Sequence, residues 1–315
     1  MGDFLTLKSV DEILNLIGAF EALEAETVPL AEGLGWALAA PFAAPENLPG
    51  FDRSTMDGFA VRAKDVFGAG EGHPAALELI GECPMGATPD FRLAPGQCAR
   101  IWTGGMLPQG ADAVVMLEYS RQVGDALMEL TNPAAPFENV ITAAEDAEQG
   151  EELLPAGRRL RPQELGLLAA LGRTEISVRR KPRVAIISSG DEVVPAAATP
   201  RPGQVRDINS STLAALAQAA GAESRSLGLA GDSLEQLKSM ILEALDWADV
   251  LLLSGGSSAG QRDFTIKAFR ELPGVEILAH GVAISPGKPL IMARLGQKSL
   301  WGLPGHAASA LVCAE

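Results

Sequence analysis

Residues 252–263 read Leu-Leu-Ser-Gly-Gly-Ser-Ser-Ala-Gly-Gln-Arg-Asp, and this stretch does most to decide the fold class. An apolar run at 250–253 precedes the glycines, and a helical pattern begins at Phe264. A strand that ends in a glycine-rich turn and continues into a helix gathers several backbone N–H groups around one concavity. Such a concavity suits a phosphate or another oxyanion. The turn alone is a weak signal, because glycine-rich turns are common between strands and helices.

The alternation of strand and helix extends from Pro182 to the end of the chain. Buried strands are predicted at 184–188, 223–229, 249–254, 290–293 and 299–303, and helices at about 209–220, 232–248 and 264–272. Elements of these lengths in this order predict a doubly wound, mostly parallel sheet with helices on both faces. We therefore expect an α/β domain over 181–315.

The earlier part of the chain follows a different pattern. Residues 51–139 form short β-like runs separated by Gly and Pro, which predicts a compact β-rich domain. Helix signals flank it: Ser9 with Glu12 is a capping box, and Pro162 begins a second short helix. We expect the two stretches 1–50 and 140–180 to form a small split linker domain.

The composition argues against several classes of protein. Of 315 residues, 40 are Asp or Glu and 25 are Lys or Arg, which gives a formal charge of −15. Nucleic-acid binding needs a basic footprint, so we expect no nucleic-acid partner. We also expect neither a signal peptide nor a membrane span, because no stretch has the required pattern. Three cysteines without a paired spacing favour a reducing, cytoplasmic compartment.

Polar residues follow several of the predicted strands. Open α/β sheets bind ligands at the carboxyl ends of their strands, and the acids Glu192, Asp232 and Asp263 follow three such ends. Lys288 and the turn at 302–305 are predicted to line the same face. Each residue also has a plainer interpretation: Asp232 as a helix cap, Glu192 as an exposed loop acid, and Lys288 as a surface lysine. The set favours an anion site, because its loops fall at equivalent strand ends.

A second signature, Phe51-Asp-Arg-Ser-Thr-Met-Asp-Gly-Phe-Ala-Val61, places Asp57 before a glycine in a tight connection. Together with five further segments, this signature resembles the molybdopterin molybdenumtransferase family, which includes the E domain of gephyrin. The five segments are RIWTGGMLPQGADAVVMLE (100–118), ISSGDEVV (187–194), LLSGGSSAGQRDF (252–264), PGKP (286–289) and GLPGH (302–306). The resemblance implies a split linker domain, a β-rich domain, a central α/β domain and a C-terminal β domain. It covers the first three, so we expect the fourth to be absent from this chain.

The resemblance also implies roles for particular residues. Asp57 and Thr103 would face the active site of the partner subunit in a homodimer, and Glu192, Asp232 and Asp263 would be active-site acids that hold Mg²⁺. The pterin-phosphate loop, the molybdate site and their surroundings would be formed by Ser254, Gly255, Gly256, Ser257, Gly260, Pro286, Gly287, Lys288, Pro304, Gly305 and Ser309. Asp146 matches an acid of the linker region, whose usual Arg and Gly neighbours are replaced by Ala143 and Ala144.

The reaction implied by the resemblance joins molybdate to adenylylated molybdopterin with release of AMP. Its partners would be molybdopterin adenylyltransferase and the apoproteins of molybdoenzymes. Three alternatives stay open: an adenylyltransferase acting one step earlier, which would lack the signature at 51–61, a scaffold protein of the same family, and an insertion enzyme that prefers tungstate. Ser285 stands where family members carry lysine, which would weaken the oxyanion site.

Overall fold

The structure, a computed structural model, describes residues 7–231, 233–255 and 259–315, and over 259–263 it describes the backbone only. It divides into two compact units, Met1–Ala39 with Ile176–Glu315, and Ala40–Glu175. None of the described helices is both long and apolar enough to cross a membrane.

The described helices are α1 (Val10–Ile17), α2 (Pro162–Ala170), α3 (Asn209–Ala219), α4 (Leu234–Trp247), α5 (Ala259–Glu271) and α6 (Ala307–Ala314). The described strands are β1 (Ala25–Pro29), β2 (Ala37–Leu38), β3 (Phe42–Ala43), β4 (Arg53–Ser54), β5 (Gly58–Val61), β6 (Ala75–Cys83), β7 (Gln97–Ile101), β8 (Ala113–Met116), β9 (Ser120–Val123), β10 (Leu127–Leu130), β11 (Val140–Ile141), β12 (Glu152–Leu154), β13 (Glu175–Arg179), β14 (Arg183–Ser189), β15 (Val193–Val194), β16 (Val205–Arg206), β17 (Glu223–Ala230), β18 (Val250–Ser254), β19 (Val275–His280), β20 (Ile291–Leu295) and β21 (Lys298–Leu303).

The first unit is built around a six-stranded sheet in the order β17-β14-β18-β21-β20-β19. The first four strands are parallel, and β20 and β19 run antiparallel to their neighbours. Strand β14 is a continuous apolar run because both of its faces are buried: Ala185 and Ile187 lie in one core, and Val184 and Ile186 lie in the other. The predicted doubly wound, mostly parallel sheet is confirmed. Its antiparallel edge strand β19 was not predicted.

Helices cover both faces of this sheet. On one face α4 and α5 pack through Ile241 and Phe269. On the other face α3, α6 and α1 pack through Leu213, Ala310 and Ile13. Because the helices lie between successive parallel strands, the loops at the carboxyl ends of those strands gather along one edge of the sheet. That edge positions the candidate site.

Helix α1 begins at the capping box that the sequence predicts. The Glu12 N–H donates to Ser9 Oγ at 3.2 Å, and the Ser9 N–H donates to the Glu12 carboxylate at 2.7 Å. The two bonds satisfy N–H groups that a helix start leaves without an intrahelical acceptor.

The second unit contains a six-stranded sheet in the order β8-β5-β7-β6-β10-β9. Strand β5 lies between β7 and β8 and is antiparallel to both. Phe59 and Val61 are buried in the core on one face of this strand, and Ala60 is buried in the core on the other. All six strands fall within the stretch that the sequence predicts to be β-rich.

Short strands join the two stretches that were predicted to form a linker domain. Strand β2 pairs with β13 in the first unit, and β3 pairs with β12 in the second. Residues before position 50 therefore pair with residues after position 140, as a split domain requires. The division into compact units falls at Ala39 and Ile176 instead, so the split linker domain and its boundaries stay a prediction.

Gly166 offers a test of helix stability in the second unit. It is exposed inside α2, and a Cβ added there would meet nothing within 4 Å. We expect Gly166→Ala to raise the free energy of unfolding by about 0.5–1 kcal/mol, because glycine loses more backbone freedom than alanine on folding. Urea denaturation measures the change. Gly172→Ala is the contrasting variant: Gly172 has φ +74°, so alanine there should destabilise. Equal gains in both variants would contradict this account.

Candidate active site

A cleft of about 330 Å³ opens at the carboxyl edge of the large sheet. Its walls come from the loops that follow β14, β18 and β21 and from the start of α3. The lining residues are Ser188, Ser189, Glu192, Val193, Val205, Arg206, Asp207, Ile208, Asn209, Ser254, Gly305, His306 and Ala307. Doubly wound sheets bind their ligands at this position, because neighbouring loops leave the sheet there together.

The first residue of α3 connects two of these loops. Asn209 Nδ2 donates to Ser254 Oγ, at the end of β18, and to Gly305 O at 2.8 Å, after β21. Asn209 is 8% exposed and Ser254 is 2% exposed. This buried amide therefore fixes the spacing of the two loops across the cleft. Its own oxygen, Oδ1, is buried and has no hydrogen-bond partner among the residues that the structure describes.

A second network holds the carboxylate of Asp207. Ser188 Oγ donates to Asp207 Oδ1 at 3.0 Å, and the Ser210 N–H donates to the same oxygen at 3.0 Å. Ser210 Oγ lies 3.1 Å from Ser188 Oγ. The carboxylate thus sits before the start of α3, where the partial positive charge of the helix end favours an anion.

Glu192 lies in the wall of the cleft, half-buried, in the loop after β14. Its position depends on Gly190, which has φ +140° and whose added Cβ would lie 2.8 Å from Glu192 Oε2. Glycine tolerates this conformation, and any other residue would press on the carboxylate. The Val205 N–H donates to Glu192 O at 2.8 Å and anchors the loop from the other side.

The other residues predicted for this site fall into three groups. Ser254 and Gly305 line the cleft, and Gly255 follows directly, with its N–H donating to Leu303 O at 3.2 Å. Pro304 is buried beside Gly305, and Ser309 is half-buried in α6, outside the lining. Asp232, Gly256 and Ser257 lie outside the described residues, and Gly260 and Asp263 belong to the part of α5 described by its backbone only. Of the three predicted acids, only Glu192 therefore has a described side chain.

Pro286, Gly287 and Lys288 lie in the loop between β19 and β20. Ile291, the first residue of β20, pairs with Gly302 of β21, so this loop leaves the sheet at the same edge as the cleft. Lys288 is exposed, its carbonyl oxygen accepts from the Val282 N–H at 2.9 Å, and it is not among the residues that line the cleft. The predicted molybdate residue is thus at the expected edge but outside the cleft wall.

In the second unit, the signature at 51–61 brings Asp57 to Thr103. Asp57 Oδ1 accepts from the Thr103 N–H and from Thr103 Oγ, each at 2.8 Å. The backbone bond first, then the hydroxyl bond and the charge of Arg100, hold the pKa of Asp57 below its ordinary value. Both residues are exposed, so the unit presents an ionised carboxylate in a fixed orientation at its surface.

The contribution of the Thr103 hydroxyl to the lowered pKa of Asp57 can be measured directly. We expect Thr103→Val to raise the pKa of Asp57, because the variant loses the hydroxyl donor and keeps the N–H donor. The pKa should still stay below its ordinary value, since the backbone bond is the larger cause. An NMR titration of the Asp57 carboxyl group gives the value, and Thr103→Ser is the control that should leave it unchanged. An equal pKa in the valine and wild-type proteins would contradict the hydroxyl contribution.

The linker-region acid lies beside a strained residue. Asp146 is exposed, and its N–H donates to Leu48 O at 2.9 Å. Ala144 has φ +64°, a left-handed conformation that costs an alanine about 1–2 kcal/mol and a glycine almost nothing. The backbone at position 144 therefore has the left-handed conformation that favours glycine, and glycine is the residue that the resemblance places here.

Several cleft residues were not predicted as site residues. They are Asp207, Asn209, Arg206 and His306, all of which line the cleft. The available signal was a polar pair at the start of a predicted helix, with Asp207 just before the helix and Asn209 as its first residue, at the carboxyl edge of a parallel sheet.

The cleft offers a limited set of metal ligands. Among the described residues, no three His, Cys, Asp or Glu side chains are grouped so that they could hold a metal ion. Glu192 and Asp207 are the carboxylates in the described lining. Mg²⁺ is commonly bound by one or two carboxylates together with substrate phosphates, so these donors fit Mg²⁺ when the ligand carries phosphate.

These observations define the class of protein: a multidomain α/β protein with a ligand cleft at the carboxyl edge of a doubly wound sheet. Comparison with known families narrows the class. Residues 8–172 match the family described as the MoeA N-terminal region (domain I and II), and residues 185–315 match the family described as the probable molybdopterin binding domain. The chain belongs to the molybdopterin molybdenumtransferase family, a family of transferases.

Individual relatives agree with this assignment. A molybdopterin molybdenumtransferase from Nostoc sp. is 39% identical over 304 residues, which cover 95% of this chain and 69% of that protein. The enzyme of the same name from Bacillus subtilis is 36% identical over 307 residues, covering 96% and 71%. A crystal structure of a molybdopterin biosynthesis MoeA protein from Pyrococcus horikoshii superposes with a TM-score of 0.77 at 38% identity and covers 97% of this chain and 76% of that one.

Proposed function

We propose that this chain inserts molybdate into adenylylated molybdopterin in the cytoplasm and releases AMP. The observation that carries the proposal is the cleft at the carboxyl edge of the sheet, with Glu192 and the end of β18 in its wall. The names of the relatives support the substrate, since they are called molybdopterin molybdenumtransferases.

The proposed reaction balances without a covalent intermediate on the protein. Water cleaves the phosphoanhydride of adenylylated molybdopterin, and AMP leaves while the molybdopterin keeps its own phosphate. Two dithiolene thiols form two Mo–S bonds, and their protons leave with one molybdate oxygen as water. The protein has to position anions and stabilise developing charge, which needs donors and fixed charges more than a nucleophile. The Ser189 hydroxyl is a donor in the lining of the cleft, and the resemblance would add backbone donors from the glycine-rich turn after β18.

Glu192 and Asp207 would hold Mg²⁺ in this cleft, together with Asp232 and Asp263, which enter through the resemblance. The bound ion would neutralise charge on the phosphates as AMP departs. Ser188 contributes by keeping the Asp207 carboxylate in a single orientation.

Asp57 and Thr103 of a second copy would complete the cleft in a homodimer. The hydrogen-bonded pair supports this, because it is exposed, pre-oriented and negatively charged. An adenylyltransferase would supply the substrate, and molybdoenzyme apoproteins would accept the finished cofactor.

The test of the proposed function combines two readouts. The purified chain is incubated with adenylylated molybdopterin, MgCl₂ and molybdate, and AMP is measured by chromatography while the cofactor is measured by activation of a molybdoenzyme apoprotein. We expect both products to appear together and to fall when EDTA removes Mg²⁺. A parallel reaction with tungstate shows which oxyanion is preferred. Ligand binding without either product would overturn the proposal in favour of a scaffold.

Mixing two inactive variants tests the shared site. Asp57→Ala and Glu192→Gln are each expected to inactivate a homodimer, but a mixed dimer has one cleft with both residues intact. Statistical mixing should therefore restore about a quarter of the wild-type rate. No recovery after subunit exchange would show that Asp57 does not act across a dimer.

A further inference from the structure

We infer that Arg100 binds an oxyanion of the substrate through its two terminal nitrogens and so adds a cation to the shared site. The inference rests on the proposed function, which brings Asp57 and Thr103 to the cleft of a second copy. Its starting point is a half-buried guanidinium that the fold does not neutralise. The guanidinium of Arg100 makes no hydrogen bond or ion pair with any residue that the structure describes, and its unpaired Nε is buried.

Two aromatic rings hold this guanidinium in place. The Cζ atom of Arg100 lies 4.5 Å from the centroid of the Trp102 ring and 5.2 Å from that of the Phe59 ring, which is the range of a cation–π contact. Phe59 is the partner of Arg100 on one neighbouring strand, and Glu82 is its partner on the other. The Glu82 carboxylate accepts from Trp102 Nε1 at 2.7 Å and so holds the ring instead of pairing with the cation.

The terminal nitrogens of Arg100 are the open part of the side chain. Of its three nitrogens, only Nε is fully buried without a partner; Nη1 and Nη2 have no acceptor among the described residues either, so solvent reaches them. A guanidinium presents its N–H donors in a planar fork, and two parallel N–H groups match two oxygens of a phosphate or a similar oxyanion. A ligand at this surface would therefore meet open donors on a fixed cation.

Arg100 belongs to the same surface as Asp57. It precedes Thr103 by three residues, and the Thr103 N–H and hydroxyl each donate to Asp57 Oδ1 at 2.8 Å. Across the ladder, its partner Phe59 lies two residues after Asp57. After the two bonds from Thr103, the charge of Arg100 is a further cause of the lowered pKa of Asp57. A substrate that meets Asp57 in the proposed dimer would therefore meet Arg100 as well.

The charge balance of the proposed site favours an anion at Arg100. The described lining of the cleft holds two carboxylates, Glu192 and Asp207, against one lysine or arginine, Arg206. Asp57 would bring a further negative charge from the second copy, although the phosphates and molybdate are themselves anions. Arg100 enters with Asp57 and offsets that charge, so the exposed carboxylate can approach the substrate without net repulsion.

Calorimetric titrations of the full chain with two inorganic anions test the inference. Wild type, Arg100→Met and the control Arg92→Met, which alters an exposed arginine of the same unit, are each titrated with pyrophosphate and with molybdate. We expect Arg100→Met to bind at least one anion about tenfold or more weakly, and Arg92→Met to match wild type. A loss confined to pyrophosphate assigns Arg100 to the phosphates, and a loss confined to molybdate assigns it to the metal oxyanion. Unchanged affinities for both, or no binding by wild type, would overturn the inference.

Arg100→Lys keeps the answer accessible if the methionine variant does not fold. Lysine retains the positive charge and a long apolar stem beside the two rings, but it cannot offer two parallel N–H groups. We expect it to bind the same anion about threefold or more weakly than wild type. An affinity equal to that of wild type would show that the fork of donors is not used, and the inference would fail.

Steady-state rates separate anion binding from a structural role. We expect Arg100→Met to raise KM about tenfold for the substrate whose oxyanion it binds, with kcat within about threefold of wild type. A lower kcat at unchanged KM would mean that Arg100 only supports the fold of this surface, which contradicts the inference. Absence of AMP release by wild type would instead contradict the proposed function, and the anion titrations do not depend on that result.

Discussion

Glu192→Gln should lower the rate of AMP release about a hundredfold or more, with little change in stability. The side chain is half-buried in the wall of the cleft, where Gly190 leaves room for its carboxylate. Glutamine keeps the volume and removes the charge, so the cleft loses a ligand for Mg²⁺ and a fixed negative charge beside the phosphates. The rate of AMP release at saturating substrate is measured by chromatography. Thermal unfolding of the variant shows whether its fold is intact.

The matched control is Glu243→Gln. Glu243 is an exposed acid on α4, so the same change of charge is made away from the cleft. We expect this variant to react at the wild-type rate. A rate within about threefold of wild type for Glu192→Gln would mean that Glu192 gives no substantial stabilisation of the transition state. Additional MgCl₂ should partly restore Glu192→Gln if the loss is one of metal affinity.

Gly58→Ala should have the largest effect on stability, a loss of about 3 kcal/mol or more. Gly58 is buried in β5 between β7 and β8, where it pairs with Ile101 and Met116. A Cβ at this position would lie 2.0 Å from Val115 O and 2.9 Å from the carbonyl carbon. Both are backbone atoms of β8, the edge strand that pairs with β5, so relief requires these two strands to separate. Denaturant unfolding followed by circular dichroism measures the loss.

Gly72→Ala is the control for this substitution. Gly72 is exposed, and an added Cβ would meet nothing within 4 Å. We expect its stability to stay within about 0.5 kcal/mol of wild type. A folded Gly58→Ala protein of nearly wild-type stability would show that β5 can move away from β8. The neighbouring Asp57 gives a second readout, because disruption of this strand end should also return the pKa of Asp57 towards its ordinary value.

Local patterns predicted the elements because each pattern is complete within one segment. The strands β14 and β18 are apolar throughout since both faces of the sheet are covered, and that burial is visible as an uninterrupted apolar run. The capping box of Ser9 and Glu12 needs only residues three apart. The alternation of such elements then gives the doubly wound class, and with it the edge at which ligands bind.

Glu164 shows what a local pattern cannot give. The sequence marks it only as an acid in the first turn of α2, but the structure buries it to 4% exposure and pairs it with Arg158 and Arg161. The bond from Arg161 first, and then that from Arg158, hold its pKa well below the ordinary value. The arginines precede Glu164 by only six and three residues, so the pairing is local, and the burial of the carboxylate is the part that the sequence pattern does not predict.

The cleft likewise combines features that the sequence predicts with contacts that only the folded chain creates. The sequence by itself determined that acids and a glycine-rich turn follow parallel strands, and that Asp57 belongs to a separate β-rich part. Only the tertiary structure decided that Asn209 joins the ends of β18 and β21, that Asp207 shares the cleft with Glu192, and that Lys288 lies outside its wall. The physical reason is strand order: residues from loops far apart in the chain become neighbours only when their strands pair, and no single segment encodes that pairing.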